Sequence, residues 1–161
     1  MADYGDTSYP IIISTGITTG APSGERAFFL AHSFNGGDQP LGRTKHYYKG
    51  KSYKKQFGKK VQKCILNDAW VISTNVNNVK TMLRKSNRYN GTQLYVWIII
   101  GYSGETPIYF TWEKPYVNDT IEEVNYLYAW IEQGPMFKAP DGINNQSLWK
   151  ISVTFEDGWE E

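Results

Sequence analysis

Two histidines, His32 and His46, and one cysteine, Cys64, are the only imidazoles and thiol in the chain. A dedicated zinc site draws on several such ligands at short fixed spacing, and neither C-x-x-C nor H-x-x-x-H occurs. The D-x-D-x-D-G opening of a calcium loop is also missing. A Ser-His-Asp set would have to use His32 or His46, but no G-x-S-x-G elbow presents a serine. His32 alternates within an apolar run and reads as a sheet residue. "GKS" at 50–52 has the ending of a phosphate loop, yet Lys45 stands where that loop needs its first glycine. Glycoside hydrolysis would need two acids across a cleft. Glu105 and Glu113 bracket "TPIYFTW", and Glu122 and Glu123 are adjacent. The second pair has a sufficient explanation at the start of a helix, where acids favour the macrodipole. The residues therefore predict no enzyme: no catalytic side chain, no metal and no cofactor.

What remains is charge and aromatic surface. The net charge is +1, but it is laid out in blocks. Between Arg43 and Arg88 thirteen Lys/Arg meet one acid, Asp68, for a net +12. Outside that segment four Lys/Arg meet fifteen acids, for a net −11. The densest part is "HYYKGKSYKKQFGKKVQK" at 46–63. With its flank it carries Arg43, Lys45, Lys49, Lys51, Lys54, Lys55, Lys59, Lys60 and Lys63, interleaved with Tyr47, Tyr48, Tyr53 and Phe57. Arg84 and Arg88 extend the patch, with Lys80 and Lys85. Such a stretch suits contact with the acidic parts of a neighbouring copy, or with a nucleic-acid backbone and its bases. The acidic remainder opposes phosphate binding, because a nucleic-acid module is more often basic throughout. The expected partner is therefore another copy of the chain. Two electrically opposite regions then meet head to tail, as in rings and filaments. Trp159 in "FEDGWEE" lies beyond the last expected strand and is the candidate for stacking on a sugar ring.

The elements that must position these residues read as follows. A length of 161 residues and an apolar fraction of 40% suit one domain with a real core. Residues 1–26 are rich in Gly, Ser and Thr around one β-like run, "PIIIS", and read as an extended N-terminal arm. Residues 27–161 read as a single β-rich domain with a basic loop at 43–63. "AFFLAHSF" (27–34) reads as a strand and "NGGDQPLGRT" (35–44) as a loop. Gly50 and Gly58 argue against a long helix in the basic stretch, so a hairpin or extended loop is expected there. "DAWVIST" (68–74) reads as a strand, and residues 75–87 as a short helix that buries Val79, Met82 and Leu83. "TQLYVWIIIGY" (92–102) is apolar throughout and implies a strand covered on both faces. It turns at "SGET" into "PIYFTWE" (107–113). Residues 118–134 carry helix punctuation: Asp119, Glu122 three residues on, and Gly134-Pro135 as a stop. The alternation of Tyr126, Tyr128 and Trp130 is the competing strand signal. Residues 136–147 read as a loop, and "LWKISVTFE" (148–156) as the closing strand. The sum is an α+β fold dominated by antiparallel sheet, sandwich or barrel-like, with one or two short helices.

This layout, an arm at 1–26, a basic loop at 43–63 and a sheet around 92–113 and 148–156, resembles small virion proteins of tailed bacteriophages. In such tail, neck and baseplate subunits an arm and a long loop knit copies of a β-rich domain into rings. The resemblance implies a self-assembling ring or tube, with other virion proteins as further partners. The opening "MADYGDTSYP" lacks the basic and apolar regions of a secretory signal. The longest apolar run, "LYVWIII", is too short for a membrane span. The expected setting is synthesis in a host cytoplasm and residence in a virion, with no membrane contact.

Overall fold

Three consecutive isoleucines, Ile11, Ile12 and Ile13, can all be buried in a strand only if both of its faces are covered, because successive side chains point to opposite sides. The structure, a computed structural model, meets that condition. It describes residues 2–5, 9–29, 33–39, 42–46, 52–56, 61–86, 91–115, 121–140 and 148–159. The strands are β1 (Asp3–Tyr4), β2 (Ile11–Thr18), β3 (Ala21–Phe29), β4 (Ser33–Gln39), β5 (Gly42–His46), β6 (Ser52–Gln56), β7 (Val61–Ile72), β8 (Leu94–Ser103), β9 (Thr106–Tyr109), β10 (Trp112–Pro115), β11 (Ile121–Val124), β12 (Leu127–Lys138) and β13 (Leu148–Asp157). The helix α1 (Val76–Arg84) follows a single 3₁₀ turn after β7.

One large sheet runs in the order β1-β3-β2-β8-β12-β13-β7-β4, with β9 added beside β8. Two small ribbons, β5–β6 and β10–β11, stand as separate two-stranded sheets. All pairings are antiparallel except β1 with β3. The fold is thus α+β and dominated by antiparallel sheet, with one short helix. The sheet does not close into a barrel. It curls far enough for β3 to touch β7 across the intervening strands.

The main core lies on one face. Ile11 and Ile13, Ala27 and Phe29, Leu94, Val96 and Ile98, Leu127 and Ala129, and Ile151, Val153 and Phe155 alternate into it. Helix α1 lays Val76, Val79, Met82 and Leu83 against them, as its spacing predicts. Asn75 holds the N-cap position but its side chain makes no capping bond. Strand β7 contributes Cys64 and Leu66 and then, in the opposite phase, Ala69 and Val71. The phase change occurs at a bulge, where Asp68 takes a left-handed φ of 54° and its N–H donates to Ser152 Oγ at 3.2 Å. The other face carries a second cluster: Ile12, Phe28, Trp97 and Ile99, with Tyr9, Ile17, Tyr95, Tyr109 and Tyr126 packed over it.

Several expectations are corrected. Residues 11–18 are no arm: β2 pairs β3 on one side and β8 on the other, and Ile11 and Ile13 are wholly buried. Gly and Thr there serve a β-bulge at Ser14–Gly16 and the turn at Thr19–Gly20. Residues 27–34 are split between β3 and β4, and the expected loop at 35–44 is instead the bulk of β4 and the start of β5. Residues 121–138 form strands, not a helix. Leu127 and Ala129 point to the core while β8 and β13 bond β12 from both sides, pairings a helix would forgo. Gly134, at φ +94°, serves the bulge of β12 and does not end a helix. The basic loop ends earlier than residue 63, since Val61 already pairs with Gln39 in the sheet.

Deleting residues 1–14 should abolish the cooperative thermal transition, because it removes half of an interior strand. Ile13→Ala alone should cost about 2–5 kcal/mol in a denaturant titration. Burial also pushes the Cys64 thiol far above its ordinary value near 8.5. Above about pH 8.5 the unfolded chain loses that proton and the folded chain keeps it, so stability falls by up to about 1.4 kcal/mol per pH unit. Between pH 8.5 and 9.5 the urea midpoint should drop for the natural chain and hold level for Cys64→Ala.

Candidate functional site

The two ribbons and the C-terminal segment come together at one end of the sheet. Strands β4 and β7 finish their pairing at Gln39 and Val61, and the chain between them forms the β5–β6 ribbon. Its register sets Arg43 opposite Lys55, Thr44 opposite Lys54, and Lys45 opposite Tyr53. One residue along β7, the buried Gln62 grips the other ribbon. Its Nε2 donates to the Glu113 carbonyl at 2.7 Å, and its Oε1 accepts from the Glu113 N–H at 2.7 Å. The same Nε2 lies 3.1 Å from Asp157 Oδ2. Trp112, next to Glu113, is buried in the main core. The β10–β11 ribbon is therefore held to the sheet by two hydrogen bonds from the Gln62 side chain to the Glu113 backbone and by an indole anchor. Its register sets Glu113 opposite Glu123 and Lys114 opposite Glu122, and Glu122 and Glu123 are exposed.

Asp157 also accepts from the Trp159 N–H at 3.0 Å. Gly158 donates its N–H to the Tyr128 carbonyl at 2.8 Å and accepts from Gln93 Nε2 at 2.5 Å. A Cβ on Gly158 would sit 2.7 Å from the Trp130 ring, so the tail's close approach requires glycine. This route sets the Trp159 ring among Tyr126 and Tyr128, at centroid distances of 5.8 and 5.5 Å, with the Lys114 ammonium 5.4 Å over it. Tyr95 stacks on Tyr128 at 4.7 Å and meets Trp97 and Tyr126. Burial, then Tyr95 and Glu122, push the Tyr126 hydroxyl above its ordinary pKa. The aromatic group is thus a second layer of packing on the outer face. The Trp159 ring, expected as a stacking candidate, is half-buried between Lys114 and two tyrosines. Its Nε1–H is buried without an acceptor.

The other predicted residues are distributed as follows. Arg43, Lys45, Tyr53, Lys54 and Lys55 lie on the two strands of the basic ribbon. Tyr47, Tyr48, Lys49, Lys51, Phe57, Lys59, Lys60 and Arg88 lie outside the described residues, as does His32. Lys63 belongs to β7, and its charge is answered within the chain by Glu132 of β12 at 2.9 Å. Arg84 is exposed in the last turn of α1, away from the ribbon in sequence and on another element. The next residue, Lys85, lines an open cavity of about 740 Å³ with Thr15, Gly24, Glu25 and Thr92. That lining holds no nucleophile–base pair. Among the described residues no three His, Cys, Asp or Glu side chains converge as a metal site. Among the described residues no helix is long and apolar enough to cross a membrane.

Sequence reading missed Gln62. A lone glutamine between Val61 and Lys63 carries no signal of its role, which exists only because Glu113, 51 residues on, is brought beside it. Gln62→Leu leaves the Glu113 N–H and C=O without these partners, at about 1–3 kcal/mol for each buried group left unsatisfied. The expected result is lower stability together with faster hydrogen exchange at the Glu113 amide, while exchange at Ile12 and Ile13 in β2 follows only the global change.

No protein-family model matches the chain, no curated protein matches its sequence, and no solved structure matches its fold.

Proposed function

We propose that this chain is a non-enzymatic structural subunit that assembles with copies of itself into a ring or tube. The observation that carries this reading is the open edge of the sheet. Strand β4 pairs only with β7 among the described residues, and its residues 35–38 are exposed. An edge strand offers a row of backbone donors and acceptors that another chain can pair with. Among the described residues the opposite margin of the sheet is capped by the two residues of β1. Exposed apolar side chains on the β8–β9 hairpin, Ile100, Tyr102 and Ile108, add further contact surface. The resemblance in layout to tailed-bacteriophage tail, neck and baseplate proteins loses its arm, since residues 11–18 form β2 inside the sheet; what remains of it, a β-rich domain with a basic segment at 43–60, implies a virion as the setting, with other virion proteins as neighbours.

A second reading has its own observation. A two-stranded antiparallel ribbon is of a size that the major groove of B-DNA admits. Residues 42–60, which include the β5–β6 ribbon, hold eight Lys/Arg and no acid. On this reading the ribbon grips nucleic acid by phosphate neutralisation.

One experiment addresses both. Solution mass by light scattering, over a concentration and salt series and with negative-stain imaging, should give a discrete multimer seen as rings or tubes. A monomer at every concentration overturns the subunit reading. Added duplex DNA would bind with an affinity falling steeply with salt if the second reading holds, with a log–log slope of about −0.9 per phosphate neutralised.

A further inference from the structure

Natural sheets usually protect their edge strands with proline, lysine or a bulge, because a bare edge recruits other chains. The large sheet follows that rule at several margins. Pro107 interrupts β9 and Pro22 interrupts β3. Strand β1 covers β3 at Arg26–Ala27 and is held there by an Arg26–Asp3 ion pair at 2.7 Å. Beyond its pairing with β8, β12 carries Pro135 and two register shifts. Strand β4 has none of these devices. Its seven residues include no proline, lysine or arginine, and its register with β7 runs unbroken from Ser33 to Gln39. Asn35, Gly36, Gly37 and Asp38 are exposed. A glycine has only backbone to expose, so at the middle of β4 the peptide groups themselves meet solvent.

We propose that β4 is an isologous interface: two copies pair their β4 strands antiparallel about a twofold axis, and one sheet continues through both. The inference rests on the subunit reading above and names the surface of the second copy that fills the edge. In such a pair every contact i–j is repeated as j–i. All seven residues find partners only when the axis passes beside Gly36, the middle of Ser33–Gln39. Position 33 then opposes 39, 34 opposes 38, 35 opposes 37, and Gly36 opposes Gly36. Asp38 is the one charged residue of β4, and this register never sets it against its own copy. Gly36 brings no side chain to the axis, where any side chain would have to pack against itself.

The remaining margins make poorer mates. A strand laid along β4 must offer its own row of donors and acceptors. Strands β3, β9 and β12 each carry a proline, which has no N–H to donate. A second β4 offers an unbroken row. The contact consists of backbone hydrogen bonds, so salt, which screens charge, leaves it in place. A ring or tube needs a second contact as well, and Ile100, Tyr102 and Ile108 are exposed on the β8–β9 hairpin for that purpose. Closed assemblies built this way hold an even number of copies.

The test uses full-length chains. One variant carries Asn35→Cys and a second carries Gly37→Cys. Both positions are exposed, and a Cβ at 37 meets nothing within 4 Å. Directly opposed residues of an antiparallel pair lie about 4.5–5.5 Å apart at Cα, within disulfide reach. Two cysteines at 35, or two at 37, are offset by two positions along the strands and lie beyond about 7 Å. With oxidised glutathione an equimolar mixture should therefore give a disulfide-linked dimer, and neither variant alone should. Cys64 is buried and does not compete. A third variant, Asn35→Lys with Gly37→Lys, opposes like charges across the contact and should halve the solution mass. Circular dichroism and a thermal melt check that it folds, and Asn35→Glu with Gly37→Glu replaces it should it not. The natural chain should hold an even number of copies at low and high salt alike. An odd copy number, a mixture that does not crosslink, single variants that crosslink equally well, or a lysine variant of unchanged mass overturns the twofold contact. A discrete multimer in the natural chain still leaves the subunit reading standing in each of those cases. A natural chain that is monomeric at every concentration overturns both.

Discussion

Strand β2, paired at residues 11–14 with β8 and along its length with β3, is the contact on which the rest of the sheet depends. It joins the N-terminal hairpin to the apolar run of β8, and it does so only because both faces are covered. Ile11 and Ile13 enter the main core beside Val96 and Ile98, while Ile12 enters the outer cluster beside Trp97. Each isoleucine withdrawn from water contributes roughly 1.5–3 kcal/mol. Those contributions offset the entropy of ordering a strand whose neighbours are glycine and threonine. Composition averaged over the segment hides this, since three residues in a row decide its fate.

A second constraint operates at the far side of the sheet. Gln62 satisfies both backbone groups of Glu113 and touches Asp157, so β7, β10 and β13 are tied at one point. From this point the basic ribbon departs, the acidic ribbon is hung, and the C-terminal turn folds back onto Tyr128. A polar side chain can hold such a junction where an apolar one cannot, because it replaces hydrogen bonds that the buried backbone would otherwise lose. The residue that arranges this junction is itself hidden from solvent.

The outer face shows how packing that a sequence does not display can gather aromatic side chains. Trp159 follows the last strand and carries no apolar pattern around it, which in a sequence marks an exposed ring. The bonds of Asp157 and Gly158 turn the chain back and lay the indole among Tyr126, Tyr128 and Lys114. The surface that results is a packed layer of tyrosine and tryptophan.

Local pattern determined a good part of this protein. The continuous apolar run at 92–102, the alternation at 148–156, the Val79, Met82, Leu83 spacing and the "SGET" turn each produced the element they imply, but the run at 92–102 is covered on both faces only as far as Ile99, with Ile100 and Tyr102 exposed. Tertiary structure decided the rest. Residues 118–134 hold both helix punctuation and strand alternation, and the open edges of β8 and β13 settled the choice by bonding β12 on both sides. The same holds for the ribbons. A sequence states how many residues separate one segment from another, but where two ribbons attach is fixed by strand pairing, and here the pairing of β4 with β7 and the Gln62–Glu113 bonds attach β5–β6 and β10–β11 at neighbouring residues of β7.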